Sequence, residues 1–219
     1  MSVRIIELKK SVYENNDREA DKLRVELRER GVFLINLMSS PGAGKTTTVL
    51  RLTEKLGGKY KIGVLEADID SSVDAERVGA AGIRTVQLHT DGMCHLDAGM
   101  VRTGTESDEM SGVDLIILEN IGNLVCPAEF DTGAMLNMMI LSVPEGDDKP
   151  LKYPLMFSVC DLLLINKIDT VELFDFDFDA VKDRARNVNP EIETFEVSAK
   201  TGLGFDTLAE WIDKRIIAF

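Results

Sequence analysis

A glycine-rich turn set between an apolar run and a helical pattern constrains this chain more than any other feature. Val32-Phe33-Leu34-Ile35-Asn36-Leu37-Met38 reads as a buried strand, and Leu50, Leu52 and Leu56 repeat at helical spacing beyond it. Between them lies Ser39-Ser40-Pro41-Gly42-Ala43-Gly44-Lys45-Thr46. Glycines let such a loop fold back and aim its N–H groups at a phosphate, while the following helix N-terminus adds partial positive charge. Lys45 then reaches the β- and γ-phosphates, and the Thr46 hydroxyl ligates magnesium. The strict pattern has glycine where this chain carries Ser39. The reading selects Ser40, Pro41, Gly42, Ala43, Gly44, Lys45, Thr46 and Thr47 as phosphate-binding residues.

A second motif chooses the base. Asn166-Lys167-Ile168-Asp169 closes the apolar run Leu162-Leu163-Leu164-Ile165, at the carboxyl end of a strand where open α/β sheets bind ligands. The Asp169 carboxylate suits the two adjacent donors of guanine, N1–H and the exocyclic amino group. Adenine lacks that pair and would leave the carboxylate unpartnered, which gives strong discrimination. Ser198-Ala199-Lys200 follows the strand-like Thr194-Phe195-Glu196-Val197 and contacts the guanine oxygen. Together the motifs predict GTP and GDP as ligands.

Seven strand-like runs alternate with helical patterns: 32–38, 62–66, 85–88, 115–118, 136–141, 162–165 and 194–197. That alternation predicts an α/β fold, a doubly wound and mostly parallel sheet of the P-loop class. A charge-rich helix over 9–30, with Ala20, Leu23 and Leu27 at helical spacing and Gly31 as its stop, packs on the domain or on a second subunit. The expected organisation is a helical extension over 1–31 and a GTPase domain over 32–219. A last helix runs from Phe205 to Ile217. Residues 145–150 read as an irregular loop, and 174–179 as either an edge strand or the start of an acidic helix.

With 219 residues, 44% hydrophobic and 29% charged, the chain fits one soluble domain with an ordinary core. Its formal net charge of −13 argues against nucleic acid or an anionic membrane as partner. Three cysteines without a signal-peptide pattern suit a reducing cytoplasm.

Carboxylates at strand ends supply the rest of a hydrolytic site. Glu119 ends Leu115-Ile116-Ile117-Leu118 and precedes Gly122, as suits a magnesium-linked group that senses the γ-phosphate, with Gly122 freeing the loop beyond. Asp68 ends another strand, followed by Asp70 and by Asp74 in Asp-Ala-Glu-Arg. One of Asp68 and Asp74 orients the attacking water, and the other helps Thr46 and Glu119 hold magnesium. Lys45, Asp68, Asp74 and Glu119 are therefore the expected catalytic set. No arginine stands out as an internal finger, which predicts slow intrinsic hydrolysis.

Cys94-His95 and Cys126 are of ligand types suited to nickel or zinc. Three ligands fall one short of a closed tetrahedral site, so such a site exchanges its metal or is completed by another subunit. Cys160 reads as a packing residue, and His89 is a weaker outer-ligand candidate.

These segments resemble the HypB nickel-incorporation GTPases of hydrogenase maturation, over residues 32 to about 215. The distinctive marks are the phosphate loop, Asp-Ala-Glu-Arg at 74–77, Cys94-His95-Leu96-Asp97-Ala98, the stretch from Glu119 to Ala128, and Glu145 to Pro150. The resemblance implies a dimerising P-loop GTPase class that includes the urease accessory GTPase. It implies a homodimer closing face to face around GTP, with Cys94, His95 and Cys126 binding nickel or zinc near that interface. It also implies a nickel-binding accessory protein, other hydrogenase maturation proteins and the hydrogenase large subunit as partners. The nearest alternative is a GTPase scaffold with a structural zinc. Two departures stand out: residues 1–31 hold no Cys or His, and His89-Thr90-Asp91-Gly92 replaces the usual Asn-Thr-Gly-Lys.

Overall fold

The apolar runs become strands buried on both faces, which is why they read as continuous rather than alternating. The computed structural model describes residues 8–68, 73–90 and 92–219. In chain order the elements used below are α1 (Leu8–Glu29), β1 (Phe33–Ser39), α2 (Lys45–Leu56), β2 (Ile62–Asp68), α3 (Val73–Ala80), β3 (Arg84–His89), α4 (Ala98–Thr105), β4 (Leu115–Gly122), α5 (Cys126–Glu129), β5 (Leu136–Ser142), α6 (Lys149–Lys152), α7 (Pro154–Ser158), β6 (Leu162–Asn166), α8 (Phe178–Val188), β7 (Glu193–Glu196) and α9 (Phe205–Ile217). The sheet order is β3-β2-β4-β1-β5-β6-β7, and every pairing is parallel. This is the P-loop nucleotide-binding fold.

Alternation along β1 divides the core. Phe33, Ile35 and Leu37 pack with Val49, Leu52 and Leu56 of α2 and with Phe205, Leu208 and Ile212 of α9. Leu34 faces the other way, into a cluster with Leu23 and Leu27 of α1, Leu65 of β2 and Val101 of α4. Met38 joins a third cluster with Phe157 of α7 and Val181 of α8. The helix over 9–30 thus buries its apolar stripe on this chain's own domain.

Several strands run past the polar residues where their apolar runs stop. β4 continues through Glu119 and Asn120 to Gly122 because those side chains find partners inside the fold. Asn120 Nδ2 donates to Asn36 Oδ1 at 2.9 Å, and Asn36 Nδ2 donates to Asn137 Oδ1 at 3.0 Å, linking β4, β1 and β5. The stretch 174–179 leads into a helix and forms no strand: 174–177 are irregular, and Asp177 caps α8 by accepting from the N–H groups of Asp179 and Ala180. Residues 145–150, expected to be irregular, are ordered into a capped 3₁₀ turn over Val143–Glu145 followed by α6.

The order of connections sets the ligand site. From β1 the chain moves to β2 and β3 on one side, and after β4 it crosses to β5, β6 and β7 on the other. The crevice at the carboxyl ends of β1 and β4 lies at this change of direction, where such sheets bind ligands.

Candidate functional site

The phosphate loop is held open by hydrogen bonds from the base-recognition strand. Asn166 Nδ2 donates to the Ala43 carbonyl at 2.9 Å, while its Oδ1 accepts from the Ala199 N–H at 3.0 Å. Lys167 Nζ donates to the Gly42 carbonyl at 2.7 Å. Lys167 is also, among the described residues, the one non-glycine with positive φ, at 62°. A left-handed conformation costs an L-residue roughly 1 kcal/mol, so the loop's own bonds must hold it there. Gly44 has φ 106°, and a Cβ there would lie 2.6 Å from Asn166 Nδ2. The glycine is required both by conformation and by this close approach.

The base end is equally ordered. Ser198 Oγ donates to Asp169 Oδ1 at 2.6 Å, leaving Asp169 Oδ2 with Lys200 Nζ at 3.9 Å. Lys200 itself is 83% exposed. Ser198 and Ala199 are buried.

The phosphate end is a cleft of about 220 Å³ lined by Gly42, Gly44, Lys45, Thr46, Thr47, Asp74, Arg77 and Glu119. Thr46 Oγ1 donates to Glu119 Oε1 at 2.8 Å, and Lys45 Nζ rests 3.4 Å from Ser39 Oγ. Ser39 sits in the extended end of β1, so the glycine of the strict pattern is not needed there, and its hydroxyl gives Lys45 a resting partner. Ser40 and Pro41 complete the loop. Gly122 lies beneath it: a Cβ there would meet three Pro41 atoms at 3.2 Å. The missing side chain serves close packing of β4 under the loop.

Sequence reading passed over two residues here. Glu66, on β2, lies level with Glu119 in the sheet register, and each is 2% exposed. Burial, then the neighbouring Glu119, Asp68 and Asp74, push the Glu66 carboxyl up to about 8. Burial raises Glu119 to about 7, against the lowering effects of Thr46 and Lys45. One oxygen of each carboxylate, Oε2, is buried without a partner. Orphaned carboxylate oxygens beside a threonine hydroxyl suit a hard divalent cation such as magnesium, which would supply charge neutralisation at the phosphates. The usable sequence signal for Glu66 was its parallel position to Glu119 at the end of an apolar run. Arg77 is the second residue, three positions after Asp74 and so on the same helix face. Asp68 ends β2 half-buried, Asp74 borders the cleft, and Asp70 lies outside the described residues.

The two partly exposed cysteines lie in different segments, Cys94 before α4 and Cys126 after β4. Cys126 starts α5, its Sγ accepting from Asn123 Nδ2 at 3.5 Å, and the contact with Cys94 holds its thiol above the usual range. The His95 ring does not join the thiols but stacks on Phe130, 3.7 Å between centroids and 13° from parallel. Among the described residues no group of three or more His, Cys, Asp or Glu side chains is arranged to hold a metal. His89 is exposed at the end of edge strand β3, and Asp91 lies outside the described residues. Cys160 is fully buried beside Met156, and burial raises its thiol far beyond reach of ionisation at neutral pH.

Helix α1 braces this segment from behind. Asn16 Oδ1 accepts from the Ala98 N–H at 2.9 Å, while its Nδ2 donates to the Asp131 carbonyl at 2.9 Å. Tyr13 donates to Glu129 Oε2 at 2.7 Å and packs edge-on against Phe130. One helix therefore ties the start of α4, just after Cys94-His95, to the end of α5, just after Cys126.

Residues 33–196 match the nucleotide-binding domain of the CobW/HypB/UreG family. The chain belongs to that family, on its HypB branch. It is 43% identical over 214 residues to the hydrogenase maturation factor HypB of Azotobacter chroococcum, covering 97% of this chain and 70% of that protein. The crystal structure of the hydrogenase maturation factor HypB from Archaeoglobus fulgidus superposes with a TM-score of 0.85 at 37% identity, covering 93% of this chain and 99% of the other. HypB from Helicobacter pylori, solved in complex with nickel, gives 0.87 at 35% identity, covering 93% and 96%. Membership of the family agrees with the parallel sheet, the phosphate loop and the nucleotide-binding assignment. Among the described residues, no helix is long and apolar enough to cross a membrane.

Proposed function

We propose that this chain is a GTP-hydrolysing metallochaperone that helps deliver nickel during maturation of a nickel–iron hydrogenase. The observation that carries this reading is the continuity of β4. Glu119, bonded to Thr46 in the phosphate cleft, lies seven residues before Cys126, whose ionisation Cys94 influences. A shift of β4 on nucleotide exchange would change the distance between the two cysteines.

In this reading Asp169, Ser198 and Lys200 select guanine, while Asn166 and Lys167 hold the phosphate loop. Lys45, Thr47 and the loop N–H groups neutralise the β- and γ-phosphates. Thr46, Glu119 and Asp74 hold magnesium, and Asp68 orients water. GTP favours a face-to-face homodimer, which brings two sets of Cys94, His95 and Cys126 together. Nickel, or zinc in its place, is the cargo of that set, and both thiols bind as thiolates. The raised Cys126 thiol makes capture weaker as pH falls. A nickel-binding accessory protein and the hydrogenase large subunit are the donor and acceptor, in the cytoplasm.

The test is release. Protein loaded with one nickel per chain is mixed with a chromogenic chelator and then with GTP or GDP. GTP is expected to change the rate of nickel transfer at least several-fold relative to GDP. Equal rates with both nucleotides contradict the proposal.

A further inference from the structure

Arg77 is the second cation of the phosphate cleft. It lines that cleft together with Lys45, Thr46 and Asp74. Its position is fixed from below: the next residue, Val78, is fully buried in the core shared by α2 and the sheet, and α3 packs on both. Anchoring by Val78 leaves Asp74 and Arg77, one turn apart, on the face toward the loop. The guanidinium is exposed and near enough to Glu119 to act on its ionisation.

Its place in the cleft, together with the absence of an ion pair among the described residues, is the telling combination. This chain carries 38 acidic against 25 basic side chains, and several of its cations are held by carboxylates. Arg24 pairs with Asp131, Arg102 with Glu19 and Glu26, Arg184 with Asp147, and Lys59 with Asp213. Among the described residues no carboxylate forms an ion pair with Arg77, and none with Lys45. Two cations that line one cleft and are engaged by no carboxylate among the described residues suit concentrated negative charge there. Lys45 belongs to the phosphate loop, and Arg77 lines the same cleft from α3.

We propose that Arg77 is a catalytic residue for GTP hydrolysis, supplied by the chain itself. The proposal rests on the GTPase reading given above. In the reaction the water oxygen bonds to the γ-phosphorus, and the bond from that phosphorus to the bridging oxygen breaks. Its electron pair stays on GDP, and both water protons leave on the released dihydrogen phosphate. Negative charge grows on the bridging oxygen as that bond lengthens. A planar guanidinium with several donors stabilises such charge best when it is already in place and unpaired. Internal hydrolysis is then still slow but faster than in a cleft with Lys45 alone, which revises the expectation that no arginine contributes.

The test is single-turnover hydrolysis of GTP by wild type, Arg77→Ala and Arg77→Lys, with GDP affinity measured for each. Arg77 is exposed, so both variants should fold, and circular dichroism checks that they do. Arg77→Ala is expected to hydrolyse on the order of 100-fold more slowly, given what such arginines contribute elsewhere. Its GDP affinity should change less than about threefold, since the stabilised charge exists only in the transition state. Arg77→Lys should fall between, and GDP with aluminium fluoride should bind wild type but not Arg77→Ala. Unchanged hydrolysis in Arg77→Ala overturns this proposal and leaves the GTPase reading standing. A loss of GDP affinity equal to the loss of rate also overturns it, by making Arg77 a ground-state binder. No GTP hydrolysis by wild type overturns both.

Discussion

The nucleotide pocket and the cysteine segment are built to opposite standards. At the loop and base end of the pocket the polar side chains are already committed. Asn166 spans Ala43 and Ala199, Lys167 holds Gly42, and Ser198 aims Asp169. At the cysteines, Cys94 lies before α4 and Cys126 after β4, near enough for Cys94 to act on the Cys126 thiol, but His95 lies on Phe130 and, among the described residues, no three-ligand group is assembled. Preorganisation makes a site tight and selective because little ordering remains to be done on binding. An unfinished site has weak or variable affinity, which a moving element can set. The contrast is what a carrier needs: one site that reads a signal firmly, another whose affinity the signal changes.

The largest effect should come from breaking the firm side. Asp169→Ala removes the carboxylate that pairs with guanine and strands Ser198, so GTP affinity should fall about 10²–10³-fold and preference over ATP should vanish. Competition binding with GTP and ATP checks this; retained guanine preference would reject the assignment. A smaller effect tests the brace behind the cysteines. Asn16→Ala leaves the Ala98 N–H and the Asp131 carbonyl without their bridge, costing about 1–3 kcal/mol. Denaturant unfolding should show that loss, with nickel affinity lowered while GDP affinity stays within about twofold. Equal effects on both ligands would mean that α1 supports the whole domain and not this segment.

The mildest effect concerns pH. Folding raises Glu66 and Glu119 from 4.5 to about 8 and about 7, so between these limits the folded protein binds more protons than the unfolded chain. Stability from this source is therefore fully present below pH 4.5, declines as pH rises above it, and is lost once pH has passed about 7 to 8. Nucleotide-free, metal-free protein should melt about 4–8 °C lower at pH 8.5 than at pH 5.5, for a loss of roughly 2 kcal/mol. Glu66→Gln should flatten that slope, and a slope unchanged by it would remove Glu66 from the account.

Much of this was legible in the sequence for a physical reason. Strands covered on both faces read as unbroken apolar runs, and loops that touch phosphate must spend glycines, so 32–46 and 162–169 announce themselves. The helix over Phe205–Ile217 follows equally from its spacing. What stayed hidden depends on pairing across long separations. Asn36 and Asn120 look like strand breakers until the fold joins them across 84 positions. Phe130 beneath His95 and Asn16 between α4 and α5 have no periodic signal at all. Glu66 and Arg77 were visible as letters, but their meaning required the sheet register and the cleft.

The most direct test of coupling between the two sites is nickel affinity of the metal-stripped protein, measured with GDP and with a non-hydrolysable GTP analogue, alongside its mass in each state. The account predicts an affinity that shifts several-fold together with conversion from monomer to dimer, and by linkage an equal shift of analogue affinity on adding nickel. Equal nickel affinities in both nucleotide states would contradict it.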